Sequence, residues 1–593
     1  MENLDRGVVA VVVTGGVYVG WRMLGYEYTG TDSDTTYNLY RDGTKVASVD
    51  ATGGTNYLDA SGTATSKYTV TCVLKGTEGA QSPAVTPWAQ QYLTIPLTAP
   101  TDPSGNGATY TPNDGSPGDL NGDGILDLVL KWDPSNSHDN AQSGVTSDVF
   151  IDGYALPAGT RLWRIDLGPN IRAGAHYTQM SVYDFDGDGK AELIVKTAPG
   201  TKDGTGAALS KGTAAGVDST VKYANSTGYI LTGPEWVTAF AGDTGAELDT
   251  MDYPVQRGTV SAWGDSYGNR VDRFNGGFSF VKDNGVATGL PSAIQGRGYY
   301  TRLTVSAITF RSGTIAKNWV YDSVTPLNPS GMGGGCHSEM SADVDGDLGM
   351  EIIPGESTID SAGTLKCQTG LGHGDAMDVS ELVPDAGITT FQIHEGMGGM
   401  DAHNPATCKT YFQTTEPGTD SNRGRAEYVG TGDETSASCY CGSCTEHLAL
   451  CATGSTAGTI PSPGSNFVMY WDADLWRETE NAATISKATG GTLLDVTGYT
   501  GNNSTKETPT LTADMIGDWR EELIVRPSSG SADVRMYTTT TVTTNRIYTL
   551  MHDPTYRAQV NFEQSAYNQP PHTGWRISPN MNPPPVPDIF VVK

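Results

Sequence analysis

Carboxylates recur in this chain at a spacing that suits a hard cation. Asp119, Asn121, Asp123 and Asp127 hold positions 1, 3, 5 and 9 of one turn, with the carbonyl of Ile125 at position 7. Asp184, Asp186, Asp188 and Glu192 repeat the pattern around the carbonyl of Lys190. Asp343, Asp345, Asp347 and Glu351 repeat it with Leu348 at position 6, where the other copies have Gly. Oxygen donors at these intervals, bent around Gly, form a ligand set for Ca2+ at about 2.3–2.6 Å. Bare carboxylates this close repel one another, so the turns are expected to be metallated. A degraded copy, Asp514 to Glu522, has Ile516 in place of its second oxygen. The copies run into short apolar segments such as Leu128–Leu130 and Leu193–Val195, without the flanking amphipathic helices of an EF-hand. Several calcium ions serving as structural staples are expected.

Five of the eight cysteines fall between 408 and 451. The run Cys439, Cys441, Cys444, Cys451 lacks the paired spacing of a zinc ribbon and reads as local disulfides.

An acidic turn feeding a strand, repeated with no helical periodicity between copies, is the sequence form of radially repeated four-stranded sheets. Residues 119–593 therefore read as an all-β propeller. Residues 1–95 read as a small β-sandwich-like domain of fibronectin type, and 96–118 as a linker. In the first domain Tyr37–Gly43 alternates and ends in Asp42-Gly43, a hairpin signal, and Tyr68–Leu74 alternates again.

With 37 Lys and Arg against 67 Asp and Glu, the chain carries a formal charge of −30. That argues against a nucleic-acid partner and means that an anionic substrate needs local cations. The apolar stretch Val8–Trp21 is broken by Thr14, Gly15 and Gly16 and is too short to span a membrane. Glu2 and Asp5 precede it where a signal peptide carries positive charge, so the chain reads as a mature or trimmed form or as cytosolic. No membrane partner and a monomeric state are expected.

Longer stretches carry more specific information. Lys131–Asn140, Leu162–Gln179, Lys196–Gly206, Trp263–Arg273, Gly370–Asp375, Leu550–Tyr556 and Ala566–His572 resemble the rhamnogalacturonan lyases of polysaccharide lyase family 11. The resemblance covers essentially the whole chain and departs most at Gly331–Met340 and in a Cys-rich insert at 395–465. It implies an eight-bladed, calcium-rich propeller, secreted to the extracellular space, that acts on a pectic polysaccharide. The bond cut would be the rhamnose–galacturonate bond of rhamnogalacturonan I, broken by β-elimination to leave an unsaturated uronate.

Such a reaction removes the C5 proton of a uronate and expels the C4 oxygen, placing a second negative charge beside an existing carboxylate. It requires a neutralising cation or guanidinium, a base and a proton source. Calcium can serve as the Lewis acid, and the acidity of the chain then becomes the means of holding it. Matching motifs to the family implies Lys506 as base, with His373 as the next candidate, and Arg423 as the guanidinium beside the substrate carboxylate. Asn503, Ser504 (where the family has Gly) and Thr505 are implied sugar contacts, together with Asn136, Asp139, Asn140, Tyr567 and His337. His176, His552 and His572 read as structural. A wall setting internal or terminal cleavage is expected in 395–465. Two rival readings are a glycoside hydrolase of the same polymer, which needs two carboxylates flanking the bond, and a non-catalytic binding propeller with similar acidic loops.

Overall fold

The computed structural model describes residues 1–324, 334–395, 398–415, 423–430, 437–441, 447–459, 467–564 and 567–591. Gly331–Gly333, Asn422, Cys444, Ala566 and much of the insert expected to wall the cleft lie outside the described residues.

Two antiparallel sheets form the N-terminal sandwich. One joins Val9–Val13, Gly16–Gly20 and Asn56–Asp59; the other joins Thr44–Val49, Thr35–Arg41, Tyr68–Leu74 and Thr77–Glu78. Asp42 and Gly43 turn the hairpin with φ of 50° and 78°, the left-handed pair that Asp-Gly favours. Trp21, Tyr37, Leu39, Tyr68 and Val70 are buried in the core that this domain shares with the ring.

Among the described residues, eight further sheets of at least four strands are arranged as the blades of a propeller. Their innermost strands are Tyr110–Gly118, Met180–Tyr183, Phe274–Ser279, Met340–Ala342, Met377–Ser380, Gly424–Glu427, Phe467–Met469 and Leu511–Ala513. Tyr92–Pro96 pairs with Asp533–Tyr537 and completes the eighth blade, so strands from both ends of the chain close the ring in one sheet. This corrects the domain boundaries. Tyr92–Pro96, assigned above to the small domain as far as Ile95 and to the linker at Pro96, belongs to the ring, and the expected linker holds Tyr110–Gly118, the first strand of blade one. Pro112, Pro117 and the glycines around them hid that strand from a pattern reading.

The acidic turns join innermost strands to their neighbours in a common register. Position 9 stands opposite the residue before position 1: Gly118 faces Asp127, Tyr183 faces Glu192, Ala342 faces Glu351 and Ala513 faces Glu522. The same register exposes a fifth copy, in which Met469 faces Glu478 and Tyr470 replaces the first carboxylate. In every copy the position-9 carboxylate accepts the backbone N–H of position 2, from Leu120, Phe185, Val344, Trp471 and Met515. Leu348 takes a φ of 69°, adopting with a side chain the bend that Gly124 and Gly189 make freely. Burial raises Asp119 and Asp184 to about 6, Asp127 and Glu351 to about 7, and Glu192 to about 9.

In the two degraded copies a side-chain cation stands among the carboxylates. Lys487 Nζ lies 2.6 Å from Asp472, 2.7 Å from Asp474 and 2.7 Å from Glu478. Arg520 lies 2.7 Å from Asp518. Disulfides brace the preceding blades: Cys367 on the fourth blade bridges to Cys408 on the fifth, and Cys439 bridges to Cys451 within the sixth. The first of these reaches outside the 408–451 cluster that the spacing suggested.

A helix occupies the axis, which the absence of helical periodicity did not foretell. α1 (Pro554–Phe562) starts with Asp553 accepting the N–H of Tyr556 at 2.8 Å, and Pro554 fits its first turn. Gln559 donates to Val379 O and Ser341 O, Asn561 donates to Ser116, and Arg557 pairs with Glu2 at 2.7 Å. Polar side chains appear on all sides because α1 packs against inner strands of several blades rather than one apolar layer, so no amphipathic stripe marks it.

Two outcomes follow from the turns. Without metal, the raised carboxyls bind protons that the unfolded chain, with values near 4, releases. Their contribution to stability is complete below about pH 4 and is lost as the pH rises toward about 7–9. In chelator the melting temperature should therefore fall between about pH 5 and 8, and added divalent cation should remove most of that fall; a flat or rising profile contradicts this. Lys487→Met leaves three carboxylates without their cation and should lower stability by ~1–3 kcal/mol in chelator, measured by denaturant unfolding.

Candidate active site

The segments that enter the innermost strands bring the chemistry to one end of the ring. His176 precedes the strand at Met180, Arg273 that at Phe274, and His337 that at Met340. His373 and Asp375 lead into Met377, Arg423 into Gly424, and Lys506 into Leu511. The acidic turns leave the opposite ends of the same strands, so they stand on the other face and stabilise the blades rather than meet a ligand at this end.

Tyr567, carried up by the chain after α1, is the centre of the cluster. Its ring stacks on His337 at 4.2 Å and on His176 at 5.5 Å, and Lys506 Nζ sits 4.2 Å from its centroid. Lys506 also pairs with Asp375 at 3.0 Å, whose other oxygen is 3.5 Å from His337 Nε2. His373 packs edge-on to His337 at 4.5 Å and lies 3.6 Å from Glu395, which accepts from Tyr300. Asp139 lies 3.3 Å from His176 and 3.7 Å from Arg273. Burial, reinforced by the charge of Arg273, lowers His176 to about 4 and holds His337 well below its usual value. Burial also lowers His373 to about 3 and raises the Tyr567 phenol to about 12. The imidazoles thus stay neutral and keep a lone pair free at ordinary pH.

Several polar atoms are buried here without a hydrogen-bond partner. They include His176 Nδ1, His337 Nδ1, His373 Nε2, Asp139 Oδ1, and Nε and Nη1 of Arg273. Donor atoms of His337, His373 and Asp375 lie within 4.8 Å of one another, and Asp184, Asp186 and Glu192 form a second such group on the opposite face. Neutral imidazoles, a carboxylate and orphaned ring nitrogens fit a divalent cation.

Other residues named from the sequence flank this centre. Asn503 and Ser504 enter the short turn bearing Lys506, with Asn503 3.5 Å from Asp114 and 2.9 Å from Thr508. Thr505 lies in the same turn, its side chain outside the described set. Arg423 bonds Asn481 at 2.9 Å and stands 3.6 Å from Glu507, beside that turn. Asn140 is buried and donates to Gly268 O, and Asn136 is tied to Ser147, so both brace loops. His552 accepts from the N–H of Gly25, and His572 bridges Asp378 and Glu427, both away from the cluster. His176, read as structural, stacks on Tyr567 and His337 at 5.5 Å at one side of the cluster. Asp375, Arg273, Tyr299, Tyr300 and Glu395 were not singled out, although the first two end motifs that the resemblance rests on.

Residues 92–587 match the family model of the rhamnogalacturonan lyase family 11 C-terminal domain, and residues 1–88 that of the rhamnogalacturonan I lyase β-sheet domain. The chain is 44% identical over 607 residues to rhamnogalacturonan endolyase YesW of Bacillus subtilis (strain 168), covering 100% of this chain and 93% of the relative. It is 42% identical over 623 residues to rhamnogalacturonan exolyase YesX of the same organism, covering 100% and 97%. The crystal structure of YesW superposes with a TM-score of 0.92 over 100% of this chain and 99% of that one.

Ser504 holds a φ of 52°, a left-handed conformation that a side chain disfavours. Ser504→Gly should therefore stabilise the fold by ~0.5–1 kcal/mol in denaturant unfolding; a loss of stability would show that its hydroxyl matters more than the backbone strain.

Proposed function

The chain belongs to rhamnogalacturonan lyase family 11, and we propose from its site how it cleaves its polymer. It is a polysaccharide lyase acting on rhamnogalacturonan. The observation that carries the mechanism is the meeting of Lys506, Tyr567 and the His337–His373–Asp375 group at one end of the ring.

Lys506 is the base. It takes the C5 proton of the galacturonate, the C–H pair becomes the C4–C5 double bond, and the C4–O bond breaks. The oxygen leaves on the rhamnose side with that bonding pair and takes up a proton. A divalent cation held by His337, His373 and Asp375 would supply positive charge for the uronate carboxylate and its carbanion-like transition state. Asp375 holds the Lys506 ammonium in the free protein, and neutralising that carboxylate favours the uncharged amine that a base requires. Tyr567 offers a flat face for a sugar ring, and Arg423 sits beside the Lys506 turn as a second positive group. Calcium is the ion of the acidic turns, whose donors are all oxygens. The disulfides Cys367–Cys408 and Cys439–Cys451 fit an extracellular setting, where such a polymer is met.

The test is ultraviolet absorbance of the conjugated product on rhamnogalacturonan I. Native protein should release it, chelator should suppress it, and Lys506→Ala should lower kcat by ~10²–10⁴-fold with little change in melting. Cleavage without that chromophore would replace elimination by hydrolysis, and near-normal turnover in Lys506→Ala would place the base elsewhere.

A further inference from the structure

Arg273 ends the Trp263–Arg273 motif, and nothing above gives it a task. It enters the innermost strand of blade three, between His176 on blade two and His337 on blade four. Its side chain is 10% exposed. Its guanidinium lies over the Tyr299 ring at 4.6 Å, and Nη2 donates to the Tyr299 hydroxyl at 3.0 Å.

Other buried arginines also leave a donor over, Nε of Arg477 among them, but the following have a close carboxylate or a set of carbonyls. Arg297 reaches Glu235 at 3.0 Å, Arg477 reaches Glu427 at 3.0 Å and Arg520 reaches Asp518 at 2.7 Å. Arg172, which has no such carboxylate, donates to the carbonyls of Gly144, Gly228 and Gln142. Arg273 has neither solution: its carboxylate neighbour, Asp139, is 3.7 Å away and is shared with His176, and Nε and Nη1 are buried without a hydrogen-bond partner. A guanidinium held by aromatic packing with spare donors is costly to bury unless an anion completes it.

We propose that Arg273 is a further anchor for the carboxylate of the substrate's galacturonate residue, acting with the cation group of His337, His373 and Asp375 and with Arg423 beside the Lys506 turn, so that the uronate is also held from the Arg273 side while Lys506 acts on its C5 proton. This deepens the lyase reading and rests on it. Guanidinium suits the task because it stays charged at every working pH and its donors lie in the plane that a carboxylate presents. Tyr299 acts as its positioning residue, fixing the guanidinium through the ring face and the hydroxyl.

The experiment is calorimetric binding of a rhamnose–galacturonate oligosaccharide, and of the same oligosaccharide with its carboxyl groups reduced to alcohols. Lys506→Ala serves as background so that no cleavage intervenes. Adding Arg273→Met should weaken the uronate form by roughly 30-fold or more and the reduced form by less than about threefold, with Arg273→Lys between. Equal weakening of both forms, or of neither, overturns the proposal. If Arg273→Met fails to fold, Arg273→Lys against the same two ligands decides: a loss confined to the uronate form supports the assignment, and equal losses or none overturn it. Native protein that makes no unsaturated product would sink the lyase reading alone, whereas native protein that makes it while Arg273→Met binds uronate normally would sink this one alone.

Discussion

The innermost strands of the eight blades share one direction, and the placement of the site and of the acidic turns follows from it. All eight carry the segment that enters them to one face of the ring and the turn that leaves them to the other. A blade can therefore vary its entry segment for chemistry and its exit turn for stability without one disturbing the other. Lys506, Arg273, His337, His373 and Asp375 come from four different blades, yet each sits within a few residues of an innermost strand's start. α1 then fills the axis and delivers Tyr567 to the same face, so the cluster rests on a packed floor rather than an open channel.

Charge follows the same division. At the exit face carboxylates cluster in the turns, some of them paired with a side-chain cation: Lys487 with Glu478, Arg520 with Asp518, Lys282 with Asp347 and Lys366 with Asp345. At the entry face, histidines held neutral, a lysine paired to Asp375 and an arginine with spare donors form a site tuned to an anion. A chain of formal charge −30 can thus accept a sugar acid, because the cations that matter are local and partly desolvated.

Much of this was legible in the sequence. The acidic turns gave the repeat because their donors sit at fixed spacings, and Asp42-Gly43 gave its hairpin because few residue pairs take two left-handed conformations in succession. Lys506, His337, His373, Tyr567 and Asp139 were named from motifs, and the structure brings them together. What stayed hidden has physical reasons. Tyr110–Gly118 was masked by its prolines and glycines. α1 lacks an apolar stripe because inner strands of several blades surround it, so both its apolar and its polar side chains are buried. The fifth acidic turn lost its first carboxylate to Tyr470 and gained Lys487 from nine residues beyond Glu478, a substitution that only strand register reveals. His176 and Arg273 gave no sign of their place because their partners lie on neighbouring blades, far away in the chain.

In the reading proposed here, a cation at the entry face serves the reaction and cations at the exit face serve stability. Bound-metal content by plasma mass spectrometry, with melting and turnover followed on the same preparations, tests it most directly in native protein, Glu192→Gln and His373→Gln. Each variant should lose metal; Glu192→Gln should melt lower but turn over normally while folded, and His373→Gln should melt almost as the native protein does but lose turnover. A His373→Gln protein that keeps its full metal and its activity, or a Glu192→Gln protein that is inactive yet fully stable, would contradict that reading.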